Sequence, residues 1–315
     1  MAEIDHFTFG PVTPALAYAL SVLGSLLGLT CTVRARQAGS TARRAWFLLL
    51  AAWAIGGTGI WVMHFIAMLG FGVRGSEIRY DIPITTASAI IAIVVVGVGL
   101  FTVGFGRPHP VKIILGGSFA GLGVASMHYT GMAAMRINGT VVYDDVLVAA
   151  SVAIAVVAAT VALWFTVSVR RSLAIVASSL VMGVAVAGMH YTGMFAMEVH
   201  LHATGGPLSG STVYALVLPI VLLVIFALVG LVYAVLAAPT DEDRAGAAYL
   251  DERIAHRQQA PNRPTGGPSG VGLAGRAGSS GAAAPGEQRV NGRPGPNQGT
   301  PRRQTVPRAH RTRRS

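Results

Sequence analysis

Seven stretches of spanning length, at 14–33, 46–71, 82–105, 111–135, 146–169, 173–197 and 213–237, carry no Asp, Glu, Lys or Arg in their middles. A hydrocarbon layer about 30 Å thick takes about 20 helical residues to cross. Inside it every backbone N–H and C=O must be paired within the protein, and a helix does this segment by segment. The expected fold class is therefore all-α: a polytopic membrane bundle of seven transmembrane helices, built from three two-helix repeats plus a final helix. Charged residues make up 12% of the chain, half the share of about 25% in a soluble domain. The N-terminal MAEIDHFTFG is acidic and lacks a basic n-region, so the first apolar stretch is expected to be retained as a span.

Loop charge predicts the orientation. Arg34, Arg36, Arg43, Arg44, Arg107, Lys112, Arg170 and Arg171 lie on the odd-numbered loops, and only Arg74, Arg79 and Arg136 on the even ones. The positive-inside rule then places the odd loops in the cytoplasm, the N-terminus outside, and the C-terminal tail inside a plasma-type cell membrane.

Two regions are expected: a membrane domain over 1–239 and a tail over 240–315. The tail holds 13 of the chain's 24 basic residues and 6 of its 13 acidic ones. It is rich in Gly, Pro, Ser, Arg and Gln and poor in large apolar residues, so it cannot bury enough surface to offset ordering. It reads as a disordered basic cytoplasmic segment, with a role at anionic lipid or none. Because much of the basicity sits there, no specific nucleic-acid partner is expected. Cys31 is the sole cysteine, which excludes an intramolecular disulfide and a thiol-rich metal site.

Within the spans one motif recurs. MHFIAM begins at Met63, and MHYTGM begins at both Met127 and Met189. The histidines are His64, His128 and His190, spaced 64 and 62 residues apart. That period is two crossings plus short loops, so the motif returns each time to the same side of the membrane, here the outer one. Taking His as position i, Met68, Met132 and Met194 stand at i+4. Met135 and Met197 stand at i+7, and Gly57, Gly121 and Gly183 at i−7. These offsets share one helical face. Small residues there permit close helix approach in lipid, so the stripe is expected to face the bundle interior. Two readings stand side by side: a shared His/Met site, or packing duplicated with the repeat, since Met is an ordinary filler of apolar helices.

If a ligand is held, imidazole and thioether without carboxylate or thiolate suit copper, Cu(I) above all. Haem, ligated by His/His or His/Met, ranks second. Tyr129 and Tyr191 at i+1 read as interfacial anchors, and Trp61 as packing. His200 and His202 in the last outer loop read as solvated.

At these residues the chain resembles the MHYT-domain family of integral membrane proteins, over roughly 14–237. The resemblance implies seven helices with Met, His and Tyr near the outer face, copper binding, and sensing of a diatomic gas such as oxygen, carbon monoxide or nitric oxide. Carried onto this sequence, the implied site residues are Met63, His64 and Met68; Met127, His128, Tyr129 and Met132; and Met189, His190, Tyr191 and Met194. The first repeat departs, with Phe65 and Ile66 in place of Tyr and Thr. Many members carry cytoplasmic modules that make or degrade cyclic dinucleotides. No constellation of that kind, nor any other catalytic one, stands in this sequence, so a sensor without its own output enzyme is expected. It would signal to a separate cytoplasmic partner. The alternatives are a copper-handling or transport protein, which would need a Met/His path across the membrane, and a haem-binding membrane protein.

Overall fold

The computed structural model describes residues 2–107, 109–202, 207–236, 246 and 249–255. Helix α1 spans Val12–Gln37. A second rod is continuous: α2 (Thr41–Ala52) passes through a π-helical segment (Trp53–Val62) into α3 (Met63–Met68). Then follow α4 (Ile82–Gly104), α5 (Pro110–Ala133), α6 (Asp145–Ser168), α7 (Ser172–Phe195) and α8 (Val213–Leu236). Six of these seven rods, α1 through α7, are long and apolar enough to cross a membrane. The seventh, α8, adds 24 residues of apolar sequence, about 36 Å at 1.5 Å per residue. Large apolar side chains such as Leu115, Phe119, Val157, Trp164, Val184 and Phe226 are exposed along the rods, as lipid-facing surfaces require.

Local chemistry sets the helix starts. Ser40, Asp81 and Asp144 each accept a hydrogen bond from the backbone N–H three residues on, at 3.3, 3.1 and 2.9 Å. That pairs a donor the helix itself leaves open. Proline in the first turn of α4 and α5 costs nothing, because those N–H groups have no intrahelical partner.

The rods pack in a ring in the order α1, second rod, α4, α5, α6 and α7, with α7 returning to α1. Helix α8 packs against the π-helical segment and α1. Three two-helix repeats are thus α1 with the second rod, α4 with α5, and α6 with α7; α8 is the final helix. Glycines permit the close approach. A Cβ on Gly121 would meet the backbone of Ala155 and Val156 in α6, and one on Gly183 would meet Tyr18 and Val22 in α1.

The first repeat differs from the sequence expectation here. A Cβ on Gly57 would find Ile93 no nearer than 3.7 Å, whereas Gly56 abuts the backbone of Ala92 and Ile93 in α4. The cause is the π-helical segment, whose wider turn shifts the register by one residue before His64. Met135 and Met197 also depart from the expected stripe. Helices α5 and α7 end before them, and both residues lie in strands.

The strands are short and all sit at one end of the bundle: β1 (Ile4–Asp5), β2 (Gly72–Val73), β3 (Arg79–Tyr80), β4 (Met135–Arg136), β5 (Gly139–Tyr143), β6 (Met197–Leu201) and β7 (Ser211–Thr212). They form antiparallel pairs β1–β2 and β5–β6 and a three-stranded set β4–β3–β7. The sequence predicts only loops over these segments; the structure adds strand pairing within them. Arg74, Arg79 and Arg136 at this end each pair with a carboxylate, those of Glu3, Glu77 and Asp81.

This first compact unit runs Met1–Leu250. A second, Asp251–Ser315, is described at 251–255, which are helical. The expected boundary at 239/240 and nearly all of the expected disordered tail lie outside the described residues.

Candidate metal centre

The three motif histidines come together. His64 on α3, His128 on α5 and His190 on α7 occupy the ends of the second rod, α5 and α7 nearest the strand layer. All three are buried, at 2%, 1% and 1% exposure. Nδ1 of His64 lies 3.0 Å from Nδ1 of His190 and 3.1 Å from Nδ1 of His128. The rings meet edge to face, with centroids 4.9, 5.0 and 5.1 Å apart. Among the described residues this is the group of three or more His, Cys, Asp or Glu side chains that could hold one ion.

Hydrogen bonding alone leaves this arrangement unsatisfied. A neutral imidazole nitrogen either donates one proton or offers one lone pair. His64 Nδ1 therefore cannot make an ordinary two-centre hydrogen bond to both neighbours at once. A cation among the three Nδ1 atoms would use all three lone pairs together. The outward Nε2 atoms are buried and have no partner among the described residues. His64 Nε2 lies against Gly131, and His128 Nε2 against Gly193; a Cβ on either glycine would overlap the ring. This accounts for glycine at i+3 in the second and third motifs. Each seats the imidazole of the preceding repeat, an order of contact that no helix-face pattern in the sequence could reveal.

The donor set fits a metal. Three imidazoles converge without a carboxylate or thiolate; the carboxylates of the membrane domain belong to the strand layer and its loops, and Cys31 is buried in α1. Two ring nitrogens 3 Å apart leave no room for a macrocycle between them, which counts against haem axial ligation by these side chains. The six motif methionines, Met63, Met68, Met127, Met132, Met189 and Met194, are all buried in the apolar core, on the same helices as the histidines. The nitrogens are what the geometry gathers.

Neighbouring rings hold the site in place. Tyr129 and Tyr191 pack edge to face on His128 and His190, each with centroids 5.0 Å apart. Tyr129 also shares a 2.6 Å hydrogen bond with Ser151 of α6, so it braces the site from inside the bundle and is no interfacial anchor. In the first repeat Phe65 has no hydroxyl. One turn earlier, Trp61 Nε1 donates to Ser88 of α4 at 3.0 Å and supplies the equivalent brace. His200 and His202 are exposed, and His202 Nε2 lies 3.1 Å from Thr140 Oγ1.

The N-terminal strap crosses the ends of α3 and α7. Ala2 N–H donates to Val199 O at 2.8 Å, Thr8 N–H to Gly70 O at 2.9 Å, and Arg74 N–H to Glu3 O at 3.0 Å. The His6 ring packs 4.7 Å from Phe195 and 5.7 Å from Phe71, and Phe7 packs 5.8 Å from Tyr191. Burial holds the His6 imidazole below its usual pKa, with Asp5 opposing.

A family model described as "Bacterial signalling protein N terminal repeat", MHYT, matches residues 57–117, 121–179 and 183–248. Over 199 residues the chain is 35% identical to the bifunctional diguanylate cyclase/cyclic di-GMP phosphodiesterase MucR of Pseudomonas aeruginosa, covering 62% of this chain and 29% of MucR. Over 212 residues it is 36% identical to the cyclic di-GMP phosphodiesterase NbdA of the same organism, covering 65% of this chain and 26% of NbdA. The signaling protein YkoW of Bacillus subtilis is 28% identical over 204 residues, with 62% and 25% covered. The matched stretch thus spans under a third of the length of these curated relatives. No solved structure matches the chain.

Proposed function

The chain belongs to the MHYT family of bacterial signalling membrane proteins, and on that premise we propose that it is a sensor whose three histidines hold one copper ion. The observation that carries this reading is the convergence of three Nδ1 atoms in a buried layer free of carboxylate. Imidazole brings no formal charge, so the full charge of a bound ion stays inside the apolar bundle. The cost of burying an ion grows with the square of its charge, about fourfold from a monovalent to a divalent cation. Cu(I) is therefore favoured over Zn(II) in this layer, and the methionines around it add soft thioethers within the same core. His64, His128 and His190 would hold the ion; copper there would supply a soft, redox-capable centre for a diatomic ligand such as oxygen, carbon monoxide or nitric oxide. Met63, Met68, Met127, Met132, Met189 and Met194 would line it.

We place the strand layer outside and the basic loops in the cytoplasm, from the eight-to-three Lys/Arg asymmetry. The named relatives are enzymes of cyclic di-GMP or signalling proteins by name, and the family model matches the apolar-helix region of this chain. A signal from the copper site would pass to a cytoplasmic partner through α8 and the segment beyond it.

The test is infrared spectroscopy of the reduced, copper-loaded protein under carbon monoxide. A C–O stretch present in the wild type and absent from His190→Ala at equal folded yield supports the reading. No stretch in a protein that retains copper would reject gas sensing, and haem bands without copper would reject the metal.

A further inference from the structure

Beneath the histidine layer the bundle holds a narrow cavity of about 60 Å³. Two neighbouring walls are α6, from Ala155 through Ala158, Ala159 and Ala162 to Thr166, and α7, from Met182 through Ala185 to Met189; Ile55 of the π-helical segment, Val96 of α4 and Val124 of α5 close the inner side. Along α6 this is about 16 Å at 1.5 Å per residue, roughly half the thickness of a hydrocarbon core. Its upper end is Met189, the residue before His190. The hydroxyl of Thr166 donates to the Leu163 carbonyl at 2.7 Å, which leaves a lone acceptor where a buried water needs two to four polar partners, and an apolar cavity of this kind stays dry.

We propose that this cavity is a binding site and entry route for a small uncharged molecule of two or three heavy atoms, taken from the bilayer between α6 and α7 and delivered to the histidines. Volume selects the occupant. A cavity of about 150 Å³ takes benzene; at well under half that size this one excludes rings and acyl chains and accepts a diatomic molecule or a single xenon atom. Composition selects the route. Ala158, Ala159, Ala162 and Ala185 are only half-buried, whereas the large residues beside them on the outer surface, Val157, Val161, Val181 and Val184, are exposed. The alanine gap is therefore the place where the interior meets lipid. An uncharged solute partitions into hydrocarbon, so such an opening is fed from the bilayer. The link to the histidines rests on the copper-sensing reading; the cavity and its occupant do not.

Two measurements separate the parts. Crystals of the full chain under xenon pressure should show a xenon peak between α6 and α7 in the wild type and equally in a His64→Ala/His128→Ala/His190→Ala variant. The peak should vanish in Ala159→Val, with Ala185→Val on the neighbouring wall as the second choice should the first not fold. No xenon peak in the wild type, or lipid density filling the gap, would overturn the site. In copper-loaded protein, the association rate of carbon monoxide should fall about tenfold in Ala159→Val with copper content unchanged. An unchanged rate alongside lost xenon would overturn the route while leaving the site standing.

Discussion

The imidazole of His64 lies where a Cβ on Gly131 would have to sit, and His128 stands in the same relation to Gly193. The repeats are therefore interlocked: each glycine of an MHYTGM string seats the histidine of the string before it. Gly131→Ala and Gly193→Ala should each cost about 1–3 kcal/mol through overpacking and should lower metal retention by displacing a ring. Gly188, five residues before Gly193 on α7 with open space around its Cβ position, is the control, and Gly188→Ala should be neutral or stabilising by about 0.5–1 kcal/mol. Thermal unfolding in detergent and metal content of the three variants check this; equal effects at all three positions would dissolve the interlock.

The charges at the two ends predict the orientation. In a Cys31→Ala background, Thr140→Cys on β5 should react with a membrane-impermeant thiol reagent on intact cells. Gly39→Cys, between α1 and α2, should react only after lysis. The reverse pattern would put the histidine layer on the cytoplasmic side.

The strap should respond to acid. Burial depresses the His6 pKa in the docked strap, with the Asp5 carboxylate opposing; Phe7, Phe71 and Phe195, the rings against it, are uncharged, and His190 lies within electrostatic reach. A base with a depressed pKa protonates more readily when undocked. Docking is therefore fully stable above the free value of about 6.5 and weakens as pH falls below it. The hydrogen-exchange protection factor of the Thr8 amide, bonded to Gly70 O, should drop between pH 7.5 and 5.5, and His6→Phe should abolish that drop.

The membrane unit should stand alone. Removing residues 251–315, the second compact unit, should leave the thermal midpoint and metal content unchanged. A truncated protein that fails to fold would show that the unit Met1–Leu250 is incomplete.

Much of this architecture is legible in the sequence because lipid imposes a simple rule on it. Apolar length gave seven rods whose observed ends, Ile82–Gly104 and Ser172–Phe195 among them, differ from the expected ones by only a few residues. The repeat period likewise put His64, His128 and His190 at one level. Contacts across repeats were illegible. Nothing local to MHYTGM says that its glycine serves another helix's histidine. The π-helical segment, which moves the close-packing role from Gly57 to Gly56, has no periodicity of its own in an all-apolar stretch. Two-residue strands such as β1 and β2 carry too little alternation to stand out, whereas β6, Met197–Leu201, does alternate apolar with polar residues but follows directly on a spanning stretch. Met135 and Met197 fit a helical stripe by offset alone, but α5 ends at Ala133 and α7 at Phe195.

Metal analysis of the purified protein tests the account most directly. The wild type should carry about one copper per chain, and His64→Ala, His128→Ala and His190→Ala, each at equal folded yield, should each lose it by more than about tenfold. Copper that persists through all three substitutions, or a wild type that carries zinc, haem or no metal under copper-replete growth, would contradict it.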